Sequence, residues 1–256
     1  MRILAIGDIV GDRALDYTFR KLPDIKKEYN IDFVIANGEN SSVGNGITMP
    51  IAKDMLKNGI DVITLGNHTF TKKDVLNVLL NNKRVIRPLN FPEKTVGNGY
   101  TIAEKNGKRI AVLNALGRIN LVNCDCPFAG VDRVLNGIKG KYDISILDFH
   151  AETSSEKLCM GFYLDGRISA VFGTHTHVAT ADERILPNGT GYISDVGMTG
   201  VMDSVLGVKK EIIIKRMVDL IPGRFELAEG RITLNGVIFD FDDSTNKCTN
   251  VERISV

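Results

Sequence analysis

Five short apolar runs, each closed by acidic, amide or imidazole side chains, constrain this chain more than any other feature of it. Ile3 to Ile6 leads into Asp8, Phe33 to Ala36 into Glu39 and Asn40, and Val62 to Leu65 into Asn67 and His68. Ile144 to Phe149 leads into His150, and Ile168 to Phe172 into His175 and His177. Short runs rich in β-branched residues read as strands buried on both faces. Residues at helical spacing lie between them: Leu15, Phe19, Leu22, Ile25 and Tyr29, with a bend or restart expected at Pro23. A second helix is expected after Thr48, with Pro50 in its first turn and Gly59 past its end, and a third from Thr71 to Leu80. Strand–helix–strand repetition predicts a sheet whose early strands are parallel, with helices packed on it.

The later part of the chain changes character. Asn106-Gly107, between Tyr100 to Glu104 and Arg109 to Leu113, predicts a hairpin, as does Pro187-Asn188-Gly189 between Ile185 and Tyr192. Three further runs follow, Glu211 to Ile214, Arg231 to Leu234 and Val237 to Phe241, with turn residues between them. No repeat, low-complexity tract or linker interrupts the pattern. The expected whole is an α/β fold, a two-sheet αββα sandwich with parallel strands first, antiparallel strands later and helices outside. Residues 1–256 are read as one domain.

Composition narrows the functional classes. At 43% hydrophobic and 25% charged, the 256 residues can bury a large core without disulfides. A formal net charge of +1 gives no electrostatic reason to expect nucleic acid or an anionic membrane as the main partner. No apolar stretch approaches the roughly 20 residues needed to span a bilayer, and the N-terminus reads as a first strand, not as a signal peptide. Cys124, Cys126, Cys159 and Cys248 are irregularly spaced, so the expectation is free thiols in a reducing, cytoplasmic compartment. Cys124 and Cys126 read as loop thiols, because no second Cys/His pair lies near enough to complete a tetrahedral site.

All four histidines, His68, His150, His175 and His177, follow apolar runs. In open α/β sheets, functional groups gather where strands end, because loops there surround a crevice while the strands hold them rigidly. Each residue also has an ordinary explanation. Asp8 would cap a helix, Glu39-Asn40 would form a polar turn, Asn67-His68 would sit in a loop, and His150 would be a satisfied buried imidazole. His175 and His177 are the sharpest pair, since residues two apart in an extended stretch face one side. The ordinary explanations would all have to hold together, leaving every histidine at a strand end by accident. Imidazole mixed with carboxylate and amide oxygens, without thiolate, suits a hydrolytic first-row metal ion better than a structural zinc. Two such ions about 3.5–4 Å apart, with one carboxylate between them, can clamp both the attacking and the leaving oxygen of a phosphoryl centre. Phosphate-ester hydrolysis is therefore the expected chemistry.

Gly7-Asp8, Gly66-Asn67-His68 and Gly173-Thr174-His175-Thr176-His177 resemble the motifs of the calcineurin-like metallophosphoesterases. The longer forms Gly38-Glu39-Asn40, Gly66-Asn67-His68-Thr69 and Asp148-Phe149-His150-Ala151-Glu152 resemble its bacterial YmdB branch, in order, from residue 1 to about residue 200. Val10 stands where the wider superfamily carries a histidine, and Glu39 where it carries a bridging aspartate; both departures match the branch. The resemblance implies that Asp8, Glu39, Asn40 and His177 hold one metal, and that Glu39, Asn67, His150 and His175 hold the other, with Glu39 bridging. It implies that His68 is no ligand but donates a proton to the leaving oxygen while a hydroxide shared by the metals attacks phosphorus. Cyclic nucleotides, 2′,3′ and 3′,5′, are the implied substrates and iron the implied metal, with manganese, zinc and magnesium as alternatives. Two other readings stay open: a 5′-nucleotidase or phosphomonoesterase on the same centre, and a non-catalytic regulator that binds a nucleotide or an RNA end through the metals. Homo-oligomerisation is also left open. Arg87, Asn90, Asp195 and Thr199 are weaker candidates for the substrate pocket, and Glu152 for a group behind a metal ligand.

Overall fold

A computed structural model describes residues 1–256. In chain order the elements are β1 (Arg2–Ile6), β2 (Asp8–Ile9), α1 (Gly11–Glu28), β3 (Phe33–Asn37), α2 (Met49–Lys57), β4 (Val62–Thr64), α3 (Val75–Asn81) and β5 (Val85–Ile86). There follow β6 (Tyr100–Lys105), β7 (Lys108–Leu116), α4 (Pro127–Gly137), β8 (Ile144–His150), α5 (Ser154–Leu164), β9 (Ala170–Thr174), β10 (Arg184–Ile185) and β11 (Gly191–Ile193). The chain ends with β12 (Met198–Val201), α6 (Lys210–Asp219), β13 (Ile232–Thr233), β14 (Asn235–Phe241) and β15 (Cys248–Ser255).

The strands form two six-stranded sheets, ordered β15-β14-β1-β3-β4-β5 and β10-β11-β9-β8-β7-β6, and a small sheet β13-β12-β2. Side-chain alternation explains why they stack. In β1, Ile3 and Ala5 point to the space between the large sheets, where they meet Phe33, Ile35, Ile110, Val112, Ile146 and Phe172. Leu4 and Ile6 point the other way, onto a second core with Leu15, Leu22 and Ile25 of α1 and Met55 of α2. On the far side, Leu113, Leu147 and Phe149 pack with Val131 of α4 and Met160 of α5. Helices, sheet, sheet, helices: this is the expected αββα sandwich.

Several local expectations need correction. The second large sheet is not chiefly antiparallel. Its interior strands β7, β8, β9 and β11 are parallel, and only the edge strands β6 and β10 run against their neighbours. Helix α1 runs unbroken through Pro23, since burial of Leu15, Leu22 and Ile25 outweighs the one hydrogen bond that the proline deletes. Thr48 precedes α2 but makes no side-chain cap, and the third helix begins at Val75, four residues later than Thr71 suggested. Glu211 to Ile214 is not a strand but lies in α6. Three consecutive isoleucines carry strand propensity, yet only Ile213 is buried, and the flanking Lys, Glu and Arg favour helix. Both expected hairpins are present. No helix is long and apolar enough to cross a membrane.

Candidate metal centre

The parallel strands of both large sheets deliver their carboxyl ends to one edge of the sandwich. Asn37, at the end of β3, donates to Asp148 of β8 at 3.2 Å, and Thr64, at the end of β4, donates to the same carboxylate at 2.5 Å. These bonds lock the two sheets together directly beneath the polar strand ends.

Glu39, Asn67, His150 and His175 converge above that lock. The candidate ligand atoms of Glu39, His150 and His175 all lie within 4.8 Å of one another. His150 Nε2 stands 2.9 Å from Glu39 Oε1, 3.0 Å from Asn67 Oδ1 and 3.1 Å from His175 Nδ1. Thr174 Oγ1, 2.8 Å from His150 Nδ1, has one proton and gives it to Asp148, so it accepts the Nδ1–H. Nε2 therefore carries a lone pair. Burial, with His150 wholly inside, pushes its pKa down to about 4 and keeps the ring neutral. The close approach to Glu39 is thus no ion pair, and Glu39 Oε1 is buried without a hydrogen-bond partner. Burial likewise brings His175 down to about 4, helped by neighbouring His150. Glu152 sits 2.9 Å from His175 Nε2 and accepts its proton, which leaves Nδ1 as a bare acceptor facing the cluster.

Asp8, Asn40 and His177 form an adjoining group. His177 Nε2 lies 3.2 Å from Asn40 Nδ2 and 3.7 Å from Asp8 Oδ1, while Nδ1 donates to Leu206 C=O at 3.3 Å. Asp8 is fully buried and caps no helix; its Oδ2 accepts the His175 N–H at 3.0 Å, which ties the two groups together. Burial raises both Asp8 and Glu39 above the usual carboxylate range. Lone pairs of two imidazoles, an amide and a carboxylate pointed at one another repel unless a cation stands between them. The residues present fit a metal in both composition and tautomer. A β-carbon at position 66 would lie 2.4 Å from His150 Nε2 and 2.5 Å from Glu39 Oε2, so only glycine leaves this space clear.

His68 stands differently. Its backbone N–H donates to Glu39 Oε2 at 2.8 Å, whereas its ring Nε2 meets the Asn45 amide at 3.1 Å.

Comparison with known proteins settles the family. The family model described as a YmdB-like protein matches residues 4–254. The chain belongs to the YmdB-like family. Membership makes it a phosphoric ester hydrolase and implies divalent metal ions. Over its whole length it is 48% identical to the 2′,3′-cyclic-nucleotide 2′-phosphodiesterase of Bacillus subtilis (strain 168), covering 97% of that protein. Among solved YmdB-like structures, a protein from Thermus thermophilus superposes with a TM-score of 0.93 at 38% identity, over 100% of this chain and 99% of that one. A protein described as a novel phosphatase, from Mycoplasma pneumoniae, superposes with a TM-score of 0.93 at 35% identity, over 100% and 93%.

The weaker sequence candidates divide. Glu152 does stand behind His175. Asn90 bonds to Leu116 and Asp125 backbone, and Arg87 to the carbonyls of Pro88, Thr95 and Val96, so both serve loop structure. Thr199 is buried in β12 with its hydroxyl unpartnered. Sequence reasoning missed Thr174 and Lys157, and left Asp195 ambiguous. Lys157 and Asp195 form a buried pair behind the His175 turn. Lys157 lies in an ordinary helical stretch and reads as a solvated charge; the glycine at 173, which makes room for its stem, was the available signal.

Proposed function

We propose that this chain is a single-domain di-metal phosphodiesterase that opens cyclic nucleotides, 2′,3′ and also 3′,5′. The observation that carries this reading is the set of facing acceptors at Glu39 Oε1, His150 Nε2 and His175 Nδ1. Asp8, Asn40 and His177 would hold one ion, Asn67, His150 and His175 the other, and Glu39 would serve both. Two ions there would supply a nucleophilic oxygen from water near neutral pH and neutralise charge on the phosphoryl oxygens. Iron is the proposed ion, and manganese, zinc or magnesium would substitute; the mixed nitrogen and oxygen donors without thiolate support this choice.

The residues then have separate tasks. Asp148 and Thr174 hold His150 in the tautomer that turns Nε2 inward. Glu152 does the same for His175 through Nε2. His68 is the proton donor to the departing ribose oxygen: its main chain is pinned to Glu39, while its half-buried ring is held by Asn45 and stays free of the cluster. The cyclic-nucleotide assignment draws on the named activity of the Bacillus subtilis relative. Four unpaired cysteines support a reducing cytoplasmic setting. An exposed apolar row on α6, Ile214, Met217 and Val218, supports a homo-oligomer.

The test joins elemental analysis of protein purified without chelator to a substrate panel: 2′,3′- and 3′,5′-cyclic nucleotides, 5′-mononucleotides and an aryl phosphodiester. Turnover of the cyclic substrates at about two ions per chain is expected. Turnover of 5′-mononucleotides alone would replace this reading with a phosphomonoesterase, and tight binding without turnover would replace it with a regulator.

A further inference from the structure

Behind the His175–His177 turn, a lysine and an aspartate pair away from solvent. Lys157 of α5 is 3% exposed and Asp195, just past β11, is 1% exposed. Neither belongs to the ligand cluster, yet both grip the backbone that carries it. Lys157 Nζ donates to the Thr174 carbonyl at 2.9 Å and to Asp195 Oδ2. Asp195 Oδ2 accepts the Thr176 N–H at 3.2 Å, and Oδ1 accepts the Gly197 N–H at 2.8 Å. The lysine stem reaches this position past a glycine: a β-carbon on residue 173 would lie 3.0 Å from Lys157 Cδ and 1.8 Å from the Ser194 carbonyl oxygen.

The turn is strained. His175 has φ +99° and His177 φ +63°, a region that residues with a β-carbon avoid. Such a conformation persists only where the surroundings over-determine it. Three buried groups do so here, with Lys157 on the Thr174 carbonyl, Asp8 on the His175 N–H and Asp195 on the Thr176 N–H. Stability is a weak account of the ion pair, because burying two charges sacrifices their solvation and apolar pairs of similar volume often serve a fold as well.

We propose that Lys157 and Asp195 are positioning residues that hold Thr174–His177 in the one backbone form aiming the His175 and His177 rings at the metal centre. The pair acts on metal affinity more than on folding. This inference rests on the di-metal reading above.

Wild type, the double variant Lys157→Met/Asp195→Asn, which removes both charges and keeps shape, and Lys157→Arg, which keeps the donor, are compared. Three quantities are read: thermal unfolding in chelator, Mn²⁺ affinity by calorimetry, and kcat and KM on a 2′,3′-cyclic nucleotide at limiting and saturating Mn²⁺. The double variant is expected to unfold near the wild-type temperature, to bind Mn²⁺ ~10–100-fold more weakly, and to recover kcat at saturating Mn²⁺ with KM unchanged. Lys157→Arg is expected to stay close to wild type in all three. A double variant that is unfolded without metal, or a folded one with wild-type Mn²⁺ affinity, overturns the proposal. Wild type that fails to bind Mn²⁺ overturns it together with the di-metal reading, a result visible before any variant is compared.

Discussion

The Thr174 hydroxyl donates to the Asp148 carboxylate at 2.6 Å, and this bond decides which nitrogen of His150 carries the proton. A hydroxyl has one proton to give. With it committed to Asp148, Thr174 can only accept from His150 Nδ1, 2.8 Å away, so Nε2 is left bare and turned toward Glu39 and Asn67. Burial raises Asp148 to about 7, against the opposing pull of the Thr174 and Thr64 hydroxyls.

Thr174→Val should therefore leave both the His150 Nδ1–H and an Asp148 oxygen buried without that partner. Unsatisfied groups of this kind cost about 1–3 kcal/mol, and loss of a group behind a metal ligand lowers affinity or activity ~10–100-fold. Thr174→Ser should restore both. Denaturant midpoints and metal titrations check this; a Val variant with unchanged metal affinity would remove the tautomer from the account.

His68→Ala should keep the metals and lose turnover by ~10²–10⁴-fold. Its ring is engaged by Asn45, and only its main chain is tied to the Glu39 carboxylate. Elemental analysis beside steady-state kinetics separates the two effects. Metal loss in this variant would make His68 a ligand.

Glu39→Gln should lower occupancy at both metal positions, from about two ions per chain to well below that. The carboxylate is fully buried, with one oxygen fixed by the His68 N–H and the other unpartnered. Full occupancy in the variant would argue against a bridge.

Stability should fall at alkaline pH through Cys248 and Tyr192. Burial pushes each up to about 12. An unfolded chain releases a thiol proton at about 8.5 and a phenol proton at about 10. Between those values and about 12 the folded form binds more protons than the unfolded form, so unfolding becomes easier as pH rises through this window. Urea midpoints from pH 8 upward should decline, and less steeply in Cys248→Ala. The buried Cys248 should also resist a thiol reagent that labels the exposed Cys159; equal labelling of the native protein would contradict its burial.

Much of the architecture was legible because each buried strand announces itself as an apolar run and each run ends at the same edge. Asp8, Glu39, Asn67, His150 and His175 are all such endings, and the structure brings them together. What escaped reading depends on the third dimension. The Ile212–Ile214 run looks like a strand until one sees that nothing covers two of its three side chains. Lys157 looks like a surface charge until α5 turns it under the His175 turn. Thr174, between two glycine-and-histidine landmarks, gives no sign that its hydroxyl sets a tautomer. Such roles arise from tertiary placement, to which local spacing is blind.

The pairing of β1 with β14 carries one more consequence. Arg2 lies opposite Asp240, the Met1 amine donates to the Phe241 carbonyl at 2.8 Å, and the Asp8 amide donates to the Gly197 carbonyl at 3.2 Å. The first strand to leave the ribosome must wait for nearly the last one before its sheet is complete. Until then the nascent chain holds some of its imidazoles and carboxylates without the frame that aims them. Contacts this distant along the chain slow folding, and a fragment cut short before β14 would lack the neighbour that fixes the strand leading to Asp8.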